Sequence, residues 1–407
     1  MAENKMPSTL NFIDVFCGAG GLSCGMEMAK WKCLLGIDFD AKAIATFEAN
    51  HPKAATFCGD IHQLTPTHLM SLIKHQEVHA IIGGPPCQGF STVGMGDPND
   101  KRNSLFKEFY RLTKLLRPPL ILIENVTGLL ASKNSKTLDA VFTVFGRLGY
   151  HLDVQVMAAH LYGVPEHRRR TIIIGTRLPT PVVFPLPLCR DIARQGKAKG
   201  QLKGDASLPP PVSIGEVFKD LRSTSGEILN HDVDKAAIKS SLDLARVKCI
   251  PEGKGIRYER DEQAYLPPHL RFNIDWSQLK ENRFRQTRYQ RLDRRLPSPT
   301  IMTQAGSYVH PTEDRYLTVR EAAAIQSFPN DFKFVGSRQC AWRQIGNAVP
   351  PRLGMALGLA LRAMYKNALA HPERVRHKNG RQHLAAIRGK AFRYERQTQN
   401  AAPPTAP

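Results

Sequence analysis

No stretch of this chain approaches the ~18 uninterrupted apolar residues that a membrane-crossing helix requires. Residues 1–10 carry no apolar run of signal-peptide length, so a soluble, cytoplasmic protein is expected. None of the eight cysteines (17, 24, 33, 58, 87, 189, 249 and 340) forms a Cys-x-x-Cys pair. The common zinc and dithiol signatures are therefore missing, no metal site is expected, and the thiols read as a reduced set. No internal repeat is visible. Acidic side chains are short in supply, with 36 against 57 lysines and arginines, a formal charge of +21. Such an imbalance speaks of partners rather than fold, and nucleic acid is the default polyanion. An anionic membrane is the competing surface, but a basic amphipathic helix with an aromatic face is not seen.

What is present suits one large or two medium domains: 407 residues, 42% of them hydrophobic. Short apolar runs at Leu10–Phe16, Cys33–Ile37, Val78–Gly83, Leu120–Ile123 and Thr171–Thr176 predict strands. Between them, residues 22–30, 40–50, 65–75, 103–116 and 136–147 are patterned as helices. This alternation predicts an α/β fold, a mostly parallel sheet covered on both faces. From about Pro181 the texture changes, with prolines crowding 179–187 and 209–211 around a Gly/Lys/Arg segment. Periodicity returns near Thr318, with helices expected at 319–327 and 353–365. The expected organisation is a catalytic and cofactor-binding domain at 1–180 and a smaller basic module at 181–314. A return to the first domain follows at 315–370, then a polar, basic tail at 371–407 expected to be disordered.

Three segments carry chemistry. The first strand leads into Phe16-Cys17-Gly18-Ala19-Gly20-Gly21-Leu22-Ser23, where glycines allow a sharp turn and close approach of backbone to a ligand. Ser23 stands where the third glycine of a Gly-x-Gly-x-x-Gly fingerprint would be, which favours an adenosyl ligand without a pyrophosphate. Asp38 ends the second strand, 20 residues after Gly18, the position from which a carboxylate grips ribose hydroxyls. Asp60 is placed to follow the third strand and to meet an adenine amino group. A tight turn for the glycines and helix caps for both aspartates are the alternative reading. The fourth strand runs into Gly84-Pro85-Pro86-Cys87-Gln88-Gly89-Phe90-Ser91. The proline pair cannot continue a sheet or helix and presents a thiol at the strand's carboxyl edge. Glu124-Asn125-Val126 brings a carboxyl to the same edge, able to keep or share a proton. Finally, Arg168-Arg169-Arg170 precede a buried strand and suit phosphate or a base carbonyl oxygen.

Together with Arg295-Leu296-Pro297-Ser298-Pro299-Thr300 and Gln344-Ile345-Gly346-Asn347-Ala348-Val349-Pro350-Pro351, these segments resemble the ordered motif set of the cytosine-5 DNA methyltransferases, over roughly 10–365. Six such motifs in order are very specific. The resemblance implies a Rossmann-like S-adenosylmethionine-dependent large domain and a smaller, irregular target recognition domain. It implies methyl transfer to carbon 5 of a flipped cytosine in duplex DNA, through a covalent adduct on Cys87. Glu124 would contact ring nitrogen 3, and Arg168 and Arg170 would support the base and the closed loop. Cofactor contacts are expected from Phe16, Gly18, Gly20, Gly21, Asp38, Phe39, Asp60, Ile61, Pro85 and Asn347. Phe39 stands where many members carry tryptophan. DNA contacts are expected from Gln88 and Ser91, and from Arg283, Arg285, Arg288 and Arg291 in an arginine run interleaved with Phe284 and Tyr289. A monomer is expected, any cognate restriction endonuclease acting separately.

Overall fold

The computed structural model describes residues 7–85, 101–130, 134–191, 207–284 and 286–373. Cys87, Gln88, Ser91 and Arg285 lie outside them. The described residues divide into two compact units. The first comprises residues up to Ala158, Arg169–Leu186 and the chain from Gly354; the second comprises Ala159–Arg168 and Pro187–Leu353. Residues 315–353 thus group with the second unit, and the chain re-enters the first at Gly354.

The first unit is built on strands β1 (Leu10–Val15), β2 (Trp31–Asp38), β3 (Ala55–Cys58), β4 (Ala80–Gly83), β5 (Leu120–Asn125) and β6 (His151–Ala158). A two-residue strand, β7 (Glu166–His167), falls in the second unit, and β8 (Arg169–Thr176) completes the sheet. The sheet order is β3-β2-β1-β4-β5-β8-β6. β1 to β5 run parallel, and β8 lies antiparallel between β5 and β6. The order reverses between β1 and β4, the arrangement that opens a ligand crevice at the carboxyl ends of the strands. Strands β4 and β5 are buried along their whole length, as expected where helices cover both faces.

Helices α1 (Gly21–Met28), α2 (Ala41–Asn50), α3 (Pro66–Leu72), α4 (Lys101–Leu116) and α5 (Ser135–Arg147) supply that cover. Local chemistry starts two of them: Asp40 caps α2 through the amides of Lys42 and Ala43, and Thr65 caps α3, which carries proline in its first turn. Phe109, Phe145 and Tyr150 lock the helices on the sheet by edge-to-face packing at centroid separations of 6.2 Å.

The second unit is more irregular. It holds α6 (Ile214–Val217), α7 (Ser241–Lys248), α8 (Glu259–Tyr265), β9 (Ser298–Pro299), α9 (Val319–Ile325) and α10 (Arg338–Asn347). Its core gathers Val247, Ile256, Leu266, Trp276, Tyr289 and Val309. β7 pairs with β9 in parallel. α11 (Pro351–Ala370) follows, and from Gly354 it packs in the first unit against α1. There the backbone oxygen of Gly358 accepts a hydrogen bond from the Trp31 indole at 2.9 Å. Among the described residues no helix is long and apolar enough to cross a membrane.

Candidate active site

The turn after β1 is drawn tight by its own backbone. The amide of Cys17 donates to Ile37 O (3.0 Å), and that of Gly20 donates to Cys17 O (2.9 Å). Gly18 and Gly20 both adopt positive φ, 54° and 89°. A Cβ on Gly20 would run into the rings of Phe47 and His51, so that glycine lies flat on α2. A Cβ on Gly18 would meet nothing within 4 Å. The loop therefore presents bare backbone to open space at the amino end of α1, where a ligand can lie against it. Gly21 opens α1 and is buried, while Phe16 packs partly against the sheet's core.

Asp38 holds this loop from β2. Its Oδ2 accepts the Gly18 amide at 2.8 Å and its Oδ1 the Asp40 amide at 3.0 Å. Burial raises its carboxyl above the ordinary range, against the pull of these amides. Beside it Phe39 stands 81% exposed, an aromatic face with no core to fill. Asp60 behaves differently. Its Oδ1 accepts the His62 amide at 3.0 Å and meets His62 Nδ1 at 2.6 Å, which lowers its pKa. Of the two aspartates it is Asp60 that serves as an N-cap, for the single turn Ile61–Gln63. Ile61, expected to line the cofactor, turns its side chain into the core at 3% exposure.

A feature not anticipated from sequence lies below the glycine loop. Asp14, wholly buried in β1, accepts a hydrogen bond from Ser23 Oγ at 2.6 Å, which ties the loop's far end to the sheet. Desolvation lifts its pKa to about 7, with the neighbouring Asp38 charge adding to the rise and the Ser23 hydrogen bond opposing it.

At the ends of β4 and β5 two of the catalytic candidates, Glu124 and Arg170, come together. Glu124 is the penultimate residue of β5, and its Oε1 lies 2.8 Å from Arg170 Nε. The antiparallel course of β8 brings Arg170 to this end of the sheet, where Glu124 pairs with Ile172. A Cβ built on Gly84 would sit 3.1 Å from Glu124 Oε2, so this oxygen faces the loop that leads to Cys87. Asn125, named in the sequence motif but given no role there, fastens that loop. Its Nδ2 donates to Pro85 O at 2.8 Å, and its Oδ1 accepts the Val126 amide at 2.9 Å, which fixes the amide's orientation. A buried amide directly after a strand-end carboxylate was the signal available in the sequence. Pro85 is buried and offers its carbonyl to Asn125.

The second unit holds the other expected residues. Arg168 is fully buried, with Nη2 donating to Gly346 O at 2.8 Å and Nη1 3.8 Å from Glu166 Oε1. Glu166 Oε1 also accepts the Ile301 amide at 2.7 Å. Arg168 thus braces the segments 298–301 and 344–351 from inside this unit. Asn347, the last residue of α10, is exposed.

Arg291 was expected to contact DNA, and the structure overturns that. It is 6% exposed, and its guanidinium donates to the carbonyls of Ile250, Val247, His310 and Glu313 and to Asp314 Oδ1 at 2.6–3.2 Å. Arg288 pairs with Asp243 at 3.0 Å and keeps a half-exposed side chain, and Arg283 pairs with Glu281. Phe284 and Tyr289 pack with the unit's core rather than standing out between the arginines.

The family model described as C-5 cytosine-specific DNA methylase matches residues 10–363. The type II methyltransferase M1.HphI of Haemophilus parahaemolyticus is 33% identical over 362 residues, covering 88% of each chain. The type II methyltransferase M.DdeI of Desulfomicrobium norvegicum is 32% identical, over 88% of this chain and 90% of its own. Among solved structures, a candidate DNA modification methyltransferase encoded within a prophage (E. coli) is similar with a TM-score of 0.59 and 26% identity. That match covers 88% of this chain and all of the other. The α/β architecture with its mainly parallel sheet is that of the S-adenosylmethionine-dependent methyltransferases.

Proposed function

From the premise that this chain belongs to the C-5 cytosine-specific DNA methylase family and is a DNA (cytosine-5)-methyltransferase, we propose that it acts on a cytosine extruded from a specific duplex site, through a transient bond to Cys87, in a restriction-modification or orphan methylation system. The observation that carries the reading is the Glu124–Arg170 pair at the sheet edge, joined through Asn125 to the Pro85 carbonyl two residues before Cys87.

The glycine loop suits S-adenosylmethionine, because Gly18 borders open space and neighbouring groups are placed for an adenosine. Asp38 addresses the ribose while holding the loop, and exposed Phe39 offers a face to adenine. Asp60, already engaged as a cap, reaches the adenine amino group with its remaining oxygen. When bound, the cofactor supplies an electrophilic methyl group on a sulfonium.

A cytosine inside a stacked duplex exposes neither face of its ring, so the base must leave the helix. The Cys87 thiolate forms a bond to carbon 6 while ring nitrogen 3 takes a proton from Glu124. Carbon 5 then holds the electron pair of an enamine and would take the methyl group as its bond to the sulfonium sulfur breaks, the sulfur keeping the electron pair as a neutral thioether. Loss of the carbon 5 proton to solvent lets the S–C6 bond break, and with the return of the ring nitrogen 3 proton to Glu124 the thiolate is released and the neutral aromatic ring restored. Arg170 holds Oε1, and Oε2, turned toward Gly84, is the oxygen that addresses ring nitrogen 3. Residues 181–314, which fall mostly in the second unit, serve as target recognition region, and Arg168 acts as a positioning residue. The methylation reading is tested by bisulfite sequencing of DNA from cells expressing the chain. The expected result is conversion-resistant cytosines at one sequence, absent for Cys87→Ser; uniform conversion in both would refute it.

A further inference from the structure

Within the second unit, one surface loop is held with more machinery than a surface loop needs. Residues 271–277 leave the core at Phe272 and return at Trp276, and a single carboxylate clamps both ends. Glu262, 4% exposed on α8, accepts the Trp276 indole N–H at 2.9 Å through one oxygen and the Phe272 backbone amide through the other. The Arg246 guanidinium lies over the Phe272 ring at 4.1 Å and donates to Leu270 O and Arg271 O. Phe284 packs on both plug residues, at centroid distances of 5.1 and 4.6 Å. Burying a carboxylate is costly unless its hydrogen bonds are made, so this arrangement ties loop geometry to core integrity.

Between the plugs only three residues project. Asp275 satisfies itself on Ser277, accepting its amide and hydroxyl at 2.9 and 2.6 Å. That leaves Asn273, exposed, and Ile274, an exposed large apolar side chain at 41%. Consecutive in the chain, they offer an amide with a donor and an acceptor and a branched apolar group. These are the chemistries that read an adenine's major-groove edge and a thymine methyl.

The geometry points to the Asn273–Ile274 tip as a specificity-determining contact that reads an A·T pair of the target site, with Glu262 as its positioning residue. This rests on the reading of the second unit as the target recognition region. The rigid clamp keeps the pair in register, and the exposed tip can be changed without touching the core.

The test is the sequence profile of methylation on a plasmid library carrying randomised sites, read by bisulfite sequencing for wild type, Asn273→Ala, Ile274→Ala and Glu262→Gln. The two tip variants should unfold at the wild-type temperature and still methylate. Their preference at one A·T position should fall roughly 5- to 150-fold. Glu262→Gln turns an amide N–H toward a donor, so it should blur the same position while leaving S-adenosylmethionine affinity unchanged. Profiles of both tip variants identical to wild type overturn the proposal and leave the second unit's recognition role standing. A wild type that methylates cytosines without sequence preference overturns that role and the proposal together.

Discussion

Two alanine substitutions in the glycine loop should fail in opposite ways. At Gly20 the φ of 89° lies in the left-handed region, which costs an L-residue ~1–2 kcal/mol. A Cβ there would also stand 2.8 Å from His51 Cδ2 and 2.9 Å from Phe47 Cδ2. His51 has little freedom to yield, because its Nδ1 is held by Glu27 Oε2 at 2.8 Å. Overpacking of this kind adds ~1–3 kcal/mol, so Gly20→Ala should destabilise the chain by ~2–5 kcal/mol. At Gly18 the backbone cost is similar or smaller, with φ 54°, and Phe16 beside it tolerates φ 65°. The new methyl meets no protein atom and projects into the open space before the loop. Gly18→Ala should therefore cost ~1–2 kcal/mol in stability but weaken S-adenosylmethionine binding at least about tenfold, ~1.4 kcal/mol. Urea unfolding of the ligand-free proteins and calorimetric titration separate the two effects. Wild-type affinity for Gly18→Ala would show that the open space is not the cofactor's. An unchanged urea midpoint for Gly20→Ala would refute the packing argument.

Other consequences follow from the same geometry. Because burial raises the Asp14 carboxyl to about 7, the folded state holds a proton that the unfolded state releases near its ordinary pKa of 3.8. Stability should then be fullest below that value and fall as pH rises toward 7, by up to ~1.4 kcal/mol per unit from this group, and Asp14→Asn should remove the slope. Parallel pH–stability curves for the two proteins from pH 5 to 8 would contradict it. In the arginine run, Arg291→Ala breaks a buried network and should destabilise the second unit by ~3–5 kcal/mol. Arg288→Ala should instead leave the thermal midpoint within a few degrees and lower the slope of DNA affinity against log salt by about one unit. Similar behaviour of the two variants in both assays would show that burial does not divide their roles.

Much of the first unit was legible because parallel strands buried on both faces leave near-continuous apolar runs, as in Leu-Ile-Leu-Ile before Glu124. β6 was not: His-Leu-Asp-Val-Gln-Val-Met-Ala alternates with half-exposed positions and carries no motif. Its neighbour Thr171–Thr176 read correctly as a buried strand, but hydrophobicity carries no direction, so its antiparallel course emerged only from pairing. That direction is what brings Arg170 to Glu124. α10, with charged and polar residues at its start, also escaped the periodicity argument. Within the site, Asp38 and Asp60 look equivalent as strand-end aspartates. They differ in that Asp38 accepts an amide of the neighbouring glycine loop as well as one of its own turn, whereas Asp60 takes its amide from its own turn. Arg288 and Arg291 likewise differ only in their surroundings, since four carbonyls drawn from two separate stretches of chain converge on the second. No local pattern encodes that convergence.

The proposed covalent bond between Cys87 and carbon 6 of cytosine can be trapped. Duplex DNA carrying 5-fluorocytosine at the methylated position, incubated with the protein and S-adenosylmethionine, tests it most directly, because fluorine cannot leave as a proton does and the adduct persists. The expected result is a protein–DNA band stable on a denaturing gel, with the modification mapped by mass spectrometry to the peptide containing Cys87 and lost in Cys87→Ser. A wild-type protein that methylates ordinary cytosine yet forms no such band would contradict it.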